Sequence, residues 1–161
     1  MKFNVSPEGK EAVVLHATGG NGNEHVQVSQ ECAVKVMKTT LNDFKTRERY
    51  IKNDYRFRDR YSKQNPRKIV HLWAEKEFHN LTIMYKANIR APTPFLLKKH
   101  VLVMQFIGMD GKPAPKLKEA ELTEEELLSA YSQCVDMMKR LYSECRLVHG
   151  DLSEFNLLQD F

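Results

Sequence analysis

The chain has 161 residues, 42% hydrophobic and 29% charged, with a formal net charge of +4, enough apolar matter for one sizeable core or two small lobes and too much for a chain disordered throughout. No apolar run approaches the roughly 18 residues that span a bilayer, and Met1-Lys2-Phe3-Asn4 lacks an apolar signal core, so a soluble, cytoplasmic chain is expected rather than a membrane or secreted one. Cys32, Cys134 and Cys145 are odd in number, have no metal-type spacing and sit in apolar-patterned segments, so they read as reduced core thiols.

In chain order, Val5-Ser6-Pro7-Glu8-Gly9-Lys10-Glu11 precedes two β-branched runs, Glu11 to Ala17 and Cys32 to Met37. The runs are separated by the turn-rich Thr18-Gly19-Gly20-Asn21-Gly22-Asn23 and predict a β-hairpin. Inside Ala33-Val34-Lys35-Val36 the lysine alternates to the face opposite both valines. On that face it is either exposed to solvent or in need of anions, because an unpaired ammonium among apolar residues is costly.

From Lys45 to Lys68 ten Lys and Arg stand against Glu48, Asp54 and Asp59, so this window carries +7 and the remainder −3. Tyr50, Tyr55, Phe57 and Tyr61 are interleaved with the cations, a mix that suits phosphate contact plus base stacking and equally a solvated insertion. Pro66 permits a helix start, and Arg67 to Ala87 carries an apolar row of Ile69, Trp73, Leu81 and Met84, with Leu72 beside it. Glu77 lies on that inward row and wants a cation, which makes it the expected partner of Lys35. Glu75, about 200° round from Glu77, is expected to be an ordinary surface residue.

Pro92 and Pro94 end the helical region, and Phe95 to Leu97 and Val101 to Ile107 read as strands turning at Lys98-Lys99-His100. Leu102 to Gly108 fits a hinge, in which Met104 and the backbone of Gln105 and Ile107 could meet the edge of a bound base; a plain strand end is the alternative. Gly108 to Glu121, with Gly111, Pro113 and Pro115, reads as a connector. Thr123 and Glu126 form a capping box ahead of a helix running to Arg146. Its stripe is Leu127, Tyr131, Cys134, Val135, Met138, Leu141, Tyr142 and Cys145.

The segment Leu147 to Asn156 sets Asp151 and Asn156 five positions apart after a short apolar run. An aspartate there can accept a proton from a phosphate-accepting hydroxyl, and an asparagine one loop turn later can ligate a magnesium ion on nucleotide phosphates. The bland reading is a loop in which Asp151 caps a turn. Strands with one interposed helix, a connector, a long helix and then such a loop follow the order of a two-lobed protein kinase.

The chain resembles the RIO family of atypical protein kinases, in the branch of subtypes 1 and 3, with a lean toward subtype 3, from about Val5 to Leu158. The resemblance is carried by Gly9-Lys10-Glu11, Ala33-Val34-Lys35-Val36, Asn65-Pro66-Arg67-Lys68, Trp73-Ala74-Glu75-Lys76-Glu77, Val101-Leu102-Val103-Met104, Phe106-Ile107-Gly108, Pro113-Ala114-Pro115 and Leu147 to Asn156. It implies an α+β, kinase-like two-lobed fold. The expected N-lobe is an antiparallel sheet with one helix over 1–107, followed by a connector over 108–122 and the beginning of a helical C-lobe over 123–161.

The resemblance further implies serine/threonine kinase or ATPase activity with ATP and magnesium, linked to small-ribosomal-subunit maturation. Asp151, Lys35 and Glu77 are then the catalytic set, Asn156 the metal ligand, and Gly9, Lys10, Glu11, Lys35, Met104, Gln105 and Ile107 the nucleotide-binding residues. Two departures from the family are Pro7-Glu8, where Ser-Thr is usual, and Gly150, where alanine is. Glu8 would repel phosphates and disfavours tight ATP binding.

Asp160-Phe161 mimics the start of a metal-binding motif, yet at about 3.3 Å per residue Asp160 lies about 13 Å from Asn156 in an extended run. A magnesium with ligands at about 2.1 Å cannot readily span that, so the second metal carboxylate is expected beyond Phe161. Residues 1–161 alone are accordingly expected to be inactive, with Leu127, Tyr131, Met138, Leu141 and Tyr142 exposed. Two other function classes stay open: a non-catalytic module docking pre-ribosomal RNA or ribosomal protein through Lys45–Lys68, and a small-molecule phosphotransferase of the aminoglycoside or choline kinase type. The latter also uses His-Gly-Asp-Leu and a following asparagine, but lacks the Gly-Lys-Glu, Trp-Ala-Glu-Lys-Glu and Pro-Ala-Pro segments.

Overall fold

The computed structural model describes residues 3–5, 12–19, 31–38, 51, 54–57 and 66–159. The elements are β1 (Phe3–Val5), β2 (Ala12–Thr18), β3 (Glu31–Met37), α1 (Pro66–Lys86), β4 (Pro94–Lys98), β5 (Val101–Gln105), β6 (Gly108–Met109), β7 (Lys112–Pro113) and α2 (Glu124–Ser143). The class is α+β, as expected. Two compact units are present: Met1–Leu81 with Thr93–Phe106, and Thr82–Pro92 with Ile107–Phe161. Among the described residues no helix is long and apolar enough to cross a membrane.

In the first unit β1 to β5 form one sheet in the order β1-β2-β3-β5-β4. β2 and β3 pair antiparallel from Ala12↔Met37 to Thr18↔Glu31, and β3 and β5 from Cys32↔Gln105 to Val36↔Val101. Directly paired residues share a face, so Ala12, Val14, Met37, Lys35 and Leu102 all project to one side. On β4 the register shifts between Pro94 and Leu96, at the edge of the sheet where a proline without an N–H is tolerated.

Helix α1 begins at a proline, whose missing N–H would have no helical acceptor there in any case. It buries two faces. Val70 and Ala74, both 0% exposed, meet Ala12 and Met37, with Trp73 and Leu97 packed alongside. Ile69 and Leu72 are covered instead by Ile51 and Phe57. The second face corrects the single apolar row expected from the sequence, and it removes Phe57 from the residues free to stack on a base. Glu75 is likewise no ordinary surface residue: its side chain is 18% exposed and lies 3.8 Å from His71 Nδ1, because this helix is covered on more than one side.

In the second unit Asp110 (φ 52°) and Gly111 (φ 74°) form the left-handed corner of a β6–β7 hairpin, within the segment expected to be a plain connector. α2 carries the expected capping box, with Thr123 accepting from the Glu126 N–H and the Glu126 side chain accepting from the Thr123 N–H. Leu141 and Cys145 pack on Ile89, with Ile83, Met84, Ala87 and Leu147 around them. Leu141 is therefore core, contrary to its expected exposure, while Leu127, Tyr131, Met138 and Tyr142 are exposed as expected. Arg140 Nη2 donates to the Ala87 carbonyl at 2.6 Å and Nη1 to that of Asn88 at 3.5 Å, so a cation from α2 satisfies carbonyls just beyond the C-terminal end of α1.

Candidate active site

Strand alternation places Lys35 on the same side of β3 as Met37, the side that α1 covers. On α1, Glu77 follows Val70 by seven residues, two turns along the row that meets the sheet. The two side chains close on each other: Lys35 Nζ donates to Glu77 Oε1 at 2.7 Å and to Oε2 at 3.0 Å. Each is half-buried, with 26% of its side chain exposed. The carboxylate is thereby oriented by both oxygens and the ammonium is held at a fixed point, with donor capacity left for a further anion.

Elsewhere on the same face His16 Nε2 and Glu31 Oε1 lie 2.8 Å apart, and the His16 ring stands 4.6 Å from that of Phe106. Met104 pairs with Ala33 across the ladder and so points to the Lys35 side. The Gln105 N–H donates to the Thr93 carbonyl at 2.8 Å, and the Gln105 side chain accepts from Thr93 Oγ1 at 3.1 Å. In the second unit the Ile107 carbonyl accepts from the Ala114 N–H at 3.0 Å. Of the backbone groups of Gln105 and Ile107 expected to meet a base edge, one on each residue is thus already bonded within the protein. Gly9, Lys10 and Glu11 lie outside the described residues, as does Asp160.

The loop bearing Asp151 and Asn156 closes on itself. Asn156 Nδ2 donates to the Asp151 carbonyl at 2.7 Å and to Asp151 Oδ2 at 3.0 Å. Both amide hydrogens are then committed to Asp151, and Oδ1 of Asn156 is the oxygen left to ligate a cation, which is the donor chemistry magnesium takes. The Asp151 N–H faces His149 Nδ1 at 3.3 Å. Gly150 has φ 76°, a left-handed conformation that favours glycine.

The end of this loop and the residues after it are tied to residues 115–118. Leu117 N–H donates to Leu157 O at 2.9 Å, Lys118 N–H to Glu154 O at 3.2 Å and Gln159 N–H to Pro115 O at 2.9 Å. Lys118 Nζ also stands 4.3 Å from the centre of the Phe155 ring. The connector therefore also anchors the loop, through an isolated antiparallel bridge of Lys116 with Leu158, a role not foreseen from its Gly and Pro content.

Within the basic segment the sequence missed a polar bridge. Asp54 accepts from Arg56 Nη2 at 2.7 Å and Nε at 3.0 Å, and Lys76 Nζ lies 3.3 Å from its Oδ2. The Arg56 hydrogen bonds hold the Asp54 carboxyl at about 2, below its ordinary 3.8, against the opposing effect of burial and with Lys76 adding to the fall. Asp-x-Arg followed on the next helix by Lys76 and Asn80 was the only available signal. Burial raises the thiols of Cys32 and Cys145, in keeping with inert core cysteines.

A family profile described as the RIO domain matches residues 13–160. Serine/threonine-protein kinase RIO3 of Mus musculus is 59% identical over 154 residues, 93% of this chain and 30% of its own length. The RIO3 kinase of Homo sapiens is 58% identical over the same shares of each chain. Serine/threonine-protein kinase RIO1 of Homo sapiens is 47% identical over 150 residues, 93% of this chain and 25% of its own. The chain thus spans less than a third of the length of these relatives. Among solved structures, the Rio2 kinase of Chaetomium thermophilum, crystallised as an ADP/Mg2+-phosphoaspartate complex, superposes with a TM-score of 0.63 at 23% identity. That likeness covers 96% of this chain and 40% of the other, and shows the fold to be kinase-like.

Proposed function

Because the chain belongs to the RIO domain family, we propose that it forms part of an ATP-dependent serine/threonine protein kinase or ATPase that works with magnesium. The observation that carries the reading is the two-oxygen ion pair of Glu77 with Lys35. An ammonium so held is a fixed cation for the α- and β-phosphates. Gly9, Lys10 and Glu11 are assigned to the phosphate roof. Met104, the Gln105 carbonyl and the Ile107 N–H are assigned to the base.

Asp151 is the base: as the acceptor hydroxyl attacks the γ-phosphorus, its proton passes to the carboxylate and the bond to the β,γ-bridging oxygen breaks. Asn156 spends its amide hydrogens on Asp151, which keeps that carboxylate in place and presents Oδ1 as a magnesium ligand. The bound metal would supply charge neutralisation on the phosphates. A second metal carboxylate is not assigned.

The same proposal places the protein in the cytoplasm in small-ribosomal-subunit maturation, touching pre-ribosomal RNA or ribosomal protein through Lys45–Lys68. Tyr55 is 79% exposed and remains suited to stacking, whereas Arg56 is engaged by Asp54. In the full natural protein, Asp151→Ala should abolish phosphoryl transfer while magnesium-dependent ATP binding persists. Unchanged turnover would remove Asp151 from the mechanism, and loss of binding without Lys35 involvement would remove the nucleotide reading.

A further inference from the structure

Ile51 and residues 54–57 precede α1 in the chain and pack on the face of that helix that does not meet the sheet. Ile51 and Phe57, 0% and 2% exposed, are buried with Ile69 and Leu72. Beside this contact the Asp54 carboxylate joins Arg56 to Lys76, and Arg56 Nη2 donates onward to Asn80 Oδ1 at 3.0 Å. Lys76 and Asn80 are one turn apart on a single row. Along the helix axis they bracket Glu77, which projects about 100° round from Lys76 and about 60° from Asn80, toward Lys35.

On the inner contact the fully buried members of α1 are Val70 and Ala74, with Trp73 partly buried beside them. A glutamate carboxylate stands roughly 6 Å from its helix axis, so a turn of about 20° would displace it by about 2 Å. That would take both oxygens of Glu77 out of hydrogen-bonding range of Lys35. The bridge on the other face opposes this turn with charged groups, and Asp54 is its hub, because both cations converge on its carboxylate.

We propose that Asp54 is a positioning residue for Lys35: by joining Arg56 to Lys76 it buckles residues 54–57 onto α1 and holds the helix at the rotation where Glu77 meets the lysine. The inference rests on the nucleotide reading of the Lys35–Glu77 pair. A staple that served stability alone would lower the unfolding midpoint and leave nucleotide affinity unchanged, which separates the two roles.

The test uses the full natural protein, calorimetric titration with the magnesium complex of a non-hydrolysable ATP analogue well below the unfolding midpoint, and the variants Asp54→Asn, Asp54→Glu, Glu77→Gln and Asp54→Asn with Glu77→Gln. Asp54→Asn is expected to weaken binding about fivefold, the scale on which residues acting through another modulate a site. Asp54→Glu, which keeps the carboxylate, should restore most of the affinity, and the double variant should bind no more weakly than Glu77→Gln alone. Undiminished binding by Asp54→Asn while Glu77→Gln is weakened would overturn the positioning role and leave the nucleotide reading standing; so would losses that simply add. Undiminished binding by Glu77→Gln would overturn the nucleotide reading itself, and this inference with it.

Discussion

The Lys35–Glu77 pair is the interaction whose strength can be bounded most closely from geometry. Exposed ion pairs contribute about 0.2–1 kcal/mol, and hydrogen bonds to charged groups in less solvated settings about 1.5–3 kcal/mol. With both oxygens bonded at 2.7 and 3.0 Å but 26% of each side chain open to solvent, the pair belongs between these ranges, at about 1–2 kcal/mol of coupling. The measurement is a double-mutant cycle of Lys35→Met, Glu77→Gln and the combination, followed by urea unfolding without nucleotide. Glu77→Gln should destabilise, since it leaves a half-buried ammonium with a neutral acceptor, and the double variant should be less destabilised than the sum of the singles. A coupling below about 0.3 kcal/mol, the scatter of independent sites, would refute the reasoning and mean that solvent already satisfies both groups.

Acid should release the Asp54 bridge: its carboxyl is held at about 2 against an ordinary 3.8, so its stabilisation is complete above about pH 4 and lost as pH falls through about 2. Allowing for solvent at the bridge, the loss should be about 1–2 kcal/mol, read as a pH dependence of urea unfolding between pH 4 and 2 that Asp54→Asn removes; an identical profile in the variant would deny the bridge. Phe57→Ala should cost about 3–5 kcal/mol, as for other buried aromatics, whereas Tyr55→Ala, at 79% exposure, should stay within about 0.5 kcal/mol. Equal effects of the two in urea unfolding would mean that Phe57 is not core.

Periodicity made some of this protein legible and left the rest hidden, and the division has a physical basis. Lys35 and Glu77 could be paired from sequence because each obeys a local rule: a period of 2 puts the lysine opposite two valines, and a period of 3.6 puts the glutamate on the inward row. The Thr123–Glu126 cap is likewise local, and so is the Asp151–Asn156 spacing, whose six residues form a single closed loop. The hairpin at Asp110-Gly111 had a local signal too, but its strands are only two residues each, too short for alternation to register.

The other failures depended on contacts distant in sequence. Nothing in the repeat of α1 says that Ile51 and Phe57 return to cover Ile69 and Leu72, so sequence alone leaves Glu75 on an open surface and Lys45–Lys68 to phosphate or solvent. Once that second face is recognised, the basic segment divides by chemistry. Phe57 and Arg56 are turned inward, one into the core and one onto Asp54, while Tyr55 between them remains outward. Burial of Phe57 with Ile51 brings residues 54–57 beside α1, and from there the short-range bridge at Asp54 ties them to Lys76. Composition counted Arg56 and Phe57 with their exposed neighbours because charge and aromaticity are properties of residues, whereas the helix they brace is a property of the fold.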